Sequence, residues 1–133
     1  MNLQKAGKIK HEVLYSNEDN TFSLESFQKR LRLAKVNPSK KIKLLSIVYT
    51  SNLDGVTNPI EDIIKVAKQN KIWILLDCSQ AALHKKINLK KLEADFITVS
   101  AHKMLGPNGV GALIANKEAL DELSPFLLGG ETV

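Results

Sequence analysis

Three short apolar runs, each broken off at polar side chains able to do chemistry, limit this chain to very few architectures. IKLLSIVY at residues 42–49 gives way to the polar loop 50–57, IWILL at 72–76 stops at Asp77, and FITV at 96–99 stops at Ser100, Ala101, His102 and Lys103. IWILL has no alternation, as suits a strand covered on both faces, and IKLLSIVY, rich in β-formers, reads as a buried strand of the kind that delivers chemistry to the carboxyl edge of a parallel sheet. Between them lie stretches long enough for crossover helices. The β-loop-α-β order predicts an α/β domain with a mostly parallel sheet, flanking helices and right-handed crossovers, whose ligands bind beyond the carboxyl ends of the strands.

The helices announce themselves by spacing and caps. Ser23 caps a stretch reaching about Val36, where Leu24, Phe27, Leu31 and Ala34 recur at three- and four-residue steps, and Asn37-Pro38 ends it. Asn58-Pro59-Ile60-Glu61 reads as a helix start, with asparagine at the cap, proline at the first helical position and glutamate closing a capping box. Ile60, Ile63, Ile64 and Ala67 share one face, and Asn70 is the stop. A helical turn near 89–92, a turn at Gly106-Pro107-Asn108-Gly109, a fourth strand at 111–115 and a helix from about Lys117 to Leu123 complete the pattern. Residues 9–15 read as a further strand with imperfect alternation.

At 133 residues the chain has room for one domain, which buries roughly two-thirds of the surface exposed by its unfolded form. No apolar run approaches the ~18 residues of a membrane span, and the first residues lack the apolar core of a secretory signal. With a single cysteine, Cys78, no intrachain disulfide can form, and the chain is expected to be cytoplasmic. The net charge of +5 does not make it a nucleic-acid binder: Arg30 and Arg32 are its only arginines, the lysines are scattered, and aromatic stacking platforms are few. His11, His84 and His102 show no ligand spacing with Cys78, so no metal site is expected.

Singly, a lysine or an aspartate at a strand end is an ordinary solvated or turn residue. Convergence raises their standing, because three strand ends bring Asn52, then Asp77 with Gln80, then Ser100, His102 and Lys103 to one edge. GPNGVG lacks the GxxxxGK[ST] pattern and precedes a strand, so a plain turn is expected there. Cys78 follows a buried strand with nothing nearby in sequence to activate it, and is expected to be an inert packed thiol. His84, in the lysine-rich crossover, is read as structural.

LLDCSQAALHKKINLKKLEADFITVSAHKMLGPNGVGALIANKEAL, residues 75–120, closely resembles the cofactor-binding core of the class V aminotransferase-like pyridoxal phosphate enzymes, specifically the cysteine desulfurase and selenocysteine lyase group. SNLDGVTNPI at 51–60 resembles the companion motif SNxxGxxNPI. The resemblance implies fold type I of the pyridoxal 5'-phosphate-dependent transferases. It makes Lys103 the residue that forms the Schiff base with the cofactor aldehyde and then moves protons, Asp77 the partner of the pyridine nitrogen, and Gln80 the donor to the phenolic oxygen. Asn52 is then the asparagine beside that oxygen and the substrate carboxylate, while Ser100 and His102 are phosphate ligands. Cys78-Ser79 stands where Gly-Ala is commoner, Ala101 where the SGHK form has glycine, and Asp54 is unusual in its loop; none of these changes removes a reacting group.

The same resemblance implies that residues 1–133 are the central part of a cofactor-binding large domain, without the segments that carry the phosphate-binding threonine loop, the stacking histidine, the catalytic cysteine and the carboxylate-gripping arginine. Leu128-Gly129-Gly130-Glu131 resembles the GGGE segment near the dimer partner's site. The expected substrate is L-cysteine, the expected full-length form a homodimer, and the expected partner a sulfur-acceptor protein in iron–sulfur cluster assembly. NPI after the loop and the GPNGVGAL form favour the SufS-like branch. Another family member, such as an aminotransferase, a selenocysteine lyase, an epimerase or a kynureninase-like hydrolase, would share Asp77, Gln80 and Lys103, and a non-catalytic remnant or split-protein piece is the reading from outside the enzymes.

Overall fold

The computed structural model describes residues 4, 5 and 7–124, which fall into two compact units, Met1–Lys41 and Ile42–Val133. In the first unit the helix α1 spans Leu24–Val36. The Ser23 side chain accepts a hydrogen bond from the Ser26 N–H at 3.3 Å, satisfying one of the donors that a helix start leaves free. Phe27 and Leu31, four residues apart, are its buried side chains, and Phe22 meets Phe27 edge-on with ring centroids 5.7 Å apart. Asn37 ends α1, and its side chain then accepts from the Ser39 N–H at the head of a 3-10 turn, Pro38–Lys40.

Residues 9–15 form no strand, contrary to their apolar content. Ile9, Val13 and Tyr15 are all exposed and share no covered face, so nothing selects a register. What orders this stretch is an ion pair at 2.6 Å between Glu12 and Arg30 of α1, and a bridge between Ser16 and Phe22 that closes a turn.

The second unit is built on a four-stranded sheet in the order β1-β2-β3-β4, made of Leu44–Val48, Trp73–Asp77, Phe96–Ser100 and Gly111–Ala115. The first three strands are parallel and β4 returns antiparallel to β3. The connections follow the sequence signals: α2 at Ile60–Gln69 joins β1 to β2, and two single-turn helices, α3 at Ala81–His84 and α4 at Leu89–Leu92, lie between β2 and β3. After β4, α5 covers Lys117–Asp121. The expected face of α2 is the buried one, since Ile60, Ile63, Ile64 and Ala67 are all inaccessible, and Asn70 is its C-cap.

Two details depart from the sequence pattern. Pro59, with no side chain able to cap, occupies the cap position of α2, and the Asn58 amide donates instead to the Val48 carbonyl at 2.8 Å, fastening the loop after β1 to the end of that strand. Nor is β1 covered on both faces among the described residues: Leu45 and Ile47 are buried while Leu44 is 48% exposed. In β2, which lies between two neighbours, Ile74 and Leu76 are fully buried and Trp73, Leu75 and Asp77 half-buried.

At the amino end of β3 sits a buried carboxylate that the sequence pattern does not single out. Asp95 accepts hydrogen bonds from the Ile74 N–H at 2.7 Å and the Asn116 amide at 3.1 Å and pairs with Lys68 of α2. One side chain thereby ties α2, β2, β3 and the head of α5. The β3–β4 turn passes through Gly109 at φ 78°, and Gly111 opens β4 where an added Cβ would lie 2.8 Å from the Val99 carbonyl oxygen, too close for any larger residue without a backbone shift. Leu128-Gly129-Gly130-Glu131 and most of residues 1–6 lie outside the described residues.

Candidate active site

Because the parallel strands are in register, their carboxyl ends stand level: Val48 pairs with Asp77, and Asp77 with Thr98. The loops that leave those ends are tightly braced. After β1 a bridge between Thr50 and Thr57, whose hydroxyls are 3.1 Å apart, closes a loop turned by Gly55 at φ 74°. Inside it the Ser51 hydroxyl accepts from the Leu53 N–H and the Asp54 carboxylate from the Val56 N–H, so Asp54 has a local structural task. Asn52 stands exposed at the tip.

After β3 the chain enters a 3-10 turn at Ala101–Met104, which ends on Leu105 at φ 63°. An exposed leucine in this left-handed region is a costly conformation. The Gly106 N–H donating to the Ala101 carbonyl at 2.8 Å closes the turn. From it Lys103 reaches across to donate to Asn52 Oδ1 at 3.3 Å, joining two strand ends 51 residues apart in sequence. Ser100 Oγ and His102 Nδ1 lie 3.0 Å apart on the same turn. Gln80 stands half-buried at the head of α3, which packs beside this turn; no hydrogen bond among the described residues ties it to the others.

Asp77 is the last residue of β2, and its Oδ1 accepts from the Ser79 N–H at 2.8 Å. Burial pushes its carboxyl up, but hydrogen bonds from the Ser79 side chain and backbone and from the Thr98 side chain, with the positive charge of Lys103, outweigh burial and leave it below the ordinary carboxylate value. The stability this contributes is present above the ordinary carboxylate range and is lost as pH falls through the depressed value. Ser79 and Thr98 are the residues that sequence reasoning passed over. Their signals were a serine in place of alanine after the aspartate and a lone hydroxyl within an apolar run.

Cys78 is fully buried, and burial, followed by the neighbouring Asp77 charge, pushes its thiol up to about 11. That is the inert packed thiol expected from the sequence. In the folded chain it should resist alkylation at neutral pH and label promptly once denaturant is added; fast labelling without denaturant would contradict the packing. The same shift means that stability falls as pH rises from the ordinary thiol value of 9.0 toward about 11. His84 is exposed at the end of α3, in the crossover between β2 and β3.

The donor set fits pyridoxal 5'-phosphate. An amine held by an amide partner suits the aldehyde, a carboxylate kept ionised suits a protonated ring nitrogen, and a paired hydroxyl and imidazole suit a phosphate.

The family model for Aminotransferase class-V matches residues 2–133. The chain is 45% identical over 93 residues to a probable cysteine desulfurase of Xylella fastidiosa, covering 70% of this chain and 22% of that protein. With a cysteine desulfurase of Cronobacter sakazakii it shares 35% identity over 121 residues, 91% of this chain and 28% of the relative. The apo structure of a cysteine desulfurase from Thermococcus onnurineus superposes with a TM-score of 0.78 at 31% identity, covering 92% of this chain and 29% of that one. This protein belongs to the class V aminotransferase family of pyridoxal phosphate-dependent enzymes, with a sheet of fold type I. It spans about a quarter of the length of these relatives.

Proposed function

We propose that these residues form the central part of the cofactor-binding large domain of a pyridoxal 5'-phosphate-dependent cysteine desulfurase of the SufS-like branch, which takes L-cysteine to L-alanine and leaves the sulfur bound to the enzyme. The observation that carries this reading is the meeting of Lys103 and Asn52 from separate strand ends, with Asp77 under the influence of the Lys103 charge. The names of the relatives support the choice of cysteine as substrate.

The cofactor, when bound, supplies an aldehyde for the amino group and a ring that draws electrons from the substrate. Lys103 would hold it covalently and then move a proton at Nζ, which Asn52 orients. Asp77 would hold the ring nitrogen, Gln80 the phenolic oxygen, and Ser100 and His102 the phosphate. A cytoplasmic homodimer that passes sulfur to an acceptor protein for iron–sulfur cluster assembly completes the proposal.

The rim formed by the described residues is open to water: Asn52 and His102 are exposed and Asp77 and Lys103 half-buried. Electrostatic stabilisation of developing charge works best where water is excluded. These residues by themselves should therefore take up the cofactor yet release little sulfide. The test is to incubate the chain with pyridoxal phosphate, L-cysteine and a thiol reductant, and to measure sulfide and alanine beside a complete desulfurase. Turnover near that of the complete enzyme would overturn the reading of an incomplete site, and failure to take up cofactor would overturn the assignment of the rim.

A further inference from the structure

The arrangement around Asp77 contains more than the cofactor contact requires. Parallel strands place directly paired residues side by side on the same face, and Asp77 of β2 is paired with Thr98 of β3. The burial alternation agrees. Leu76 and Ile97 point into the core, while Asp77 and Thr98 both lie on the half-buried face. On the other side of the carboxylate, Ser79 closes a turn in which its N–H donates to Oδ1 at 2.8 Å.

We propose that Thr98 and Ser79 are positioning residues that hold the Asp77 carboxylate ionised and in one orientation at the end of β2. The proposal rests on the cofactor assignment above, because the task of that carboxylate is to meet a protonated ring nitrogen. A half-buried carboxylate with no donors would drift toward its neutral form and could then no longer keep the ring protonated. Two hydroxyl-bearing side chains, one across the sheet and one along the chain, oppose that drift before any cofactor arrives, and both act on the carboxylate in this sense.

Among the described residues, the charged and titratable groups around Asp77 are these. Lys103 approaches from the 3-10 turn, Cys78 follows in the chain, and β1 offers the apolar Val48 and the Tyr49 N–H, which donates to the Asp77 carbonyl at 2.8 Å. Among the described residues, Lys103 supplies the full positive charge that acts on this carboxylate.

The test is a carboxyl titration followed by NMR on the chain labelled with 13C at the aspartate side-chain carboxyls, without cofactor, the Asp77 signal being identified by its loss in Asp77→Asn. Thr98→Val, nearly the same shape without the donor, should raise the Asp77 midpoint, and Thr98→Ser should restore it. Ser79→Ala should raise it at least as much, because the Ser79 hydroxyl is foremost among the groups that lower it. Each variant with a raised midpoint should also bind pyridoxal phosphate more weakly, by roughly tenfold for Thr98→Val.

A Thr98→Val chain that keeps its circular dichroism and titrates Asp77 as before would overturn the proposal. Should Thr98→Val not fold, Thr98→Ala and Ser79→Ala carry the same test, and an unmoved midpoint in Ser79→Ala would overturn it. The titration needs no cofactor, so it can fail while cofactor uptake succeeds. Conversely, a chain that shows the shifts but takes up no cofactor refutes the cofactor assignment and leaves the carboxylate clamp standing.

Discussion

Lys103→Ala abolishes covalent retention of pyridoxal phosphate. Borohydride reduction of the unsubstituted chain with the cofactor should fix the cofactor mass on the peptide containing residue 103, and the variant should yield none there. Because lysines occur along the whole sequence, peptide mapping is required: surface amines react weakly and without preference, whereas a site amine takes up the cofactor at stoichiometric levels. Lys103→Arg should fail in the same way. It keeps a positive charge near Asp77 and can still donate to Asn52, but a guanidinium does not deprotonate and cannot condense with an aldehyde. The arginine variant thus separates the electrostatic contribution of this residue from its chemistry. A stoichiometric adduct surviving on another lysine in Lys103→Ala would refute the assignment of the site.

Asp95→Ala should cost about 2–4 kcal/mol, chiefly because two inward-facing donors lose their acceptor, while Lys68, which is exposed, can return to water. The substitution leaves the Ile74 N–H and the Asn116 amide facing a void in place of their acceptor, and it frees Lys68 from its partner. Against a total stability of about 5–15 kcal/mol for a domain, that is a large share. Asp95→Asn keeps the shape yet presents a donor to groups that are all donors, so it should be only partly milder. Urea denaturation followed by circular dichroism measures both, and a loss below about 1 kcal/mol for Asp95→Ala would show that the carboxylate is not the tie described here.

What could be read in the sequence was local or periodic. The cap at Ser23 and the 60–63–64–67 face of α2 each lie within one or two helical turns, where neighbours in sequence are neighbours in space. The strand ends were legible because each apolar run stops abruptly, and their level alignment followed from the parallel topology. That Lys103 reaches Asn52 was expected only as a shared edge, and the structure turns it into a contact.

The misses share a cause. Residues 9–15 have strand-like composition, but a strand needs a partner and a covered face, which no window of sequence can supply. The outward exposure of Leu44 depends on which face of the sheet other elements cover, and the task of Asp95 depends on three other elements arriving at it. Thr98 acquires its significance only through its register partner 21 positions earlier.

The parallel register has a further consequence, since it puts the two important carboxylates of this sheet at opposite ends. Asp95, sealed from water, sits where β3 begins; Asp77, half open, sits where β2 finishes. One end of the sheet is a rivet and the other a workbench. Changes made to the loops of the workbench leave the rivet in place, so such a scaffold can be retuned for different chemistry without first being rebuilt.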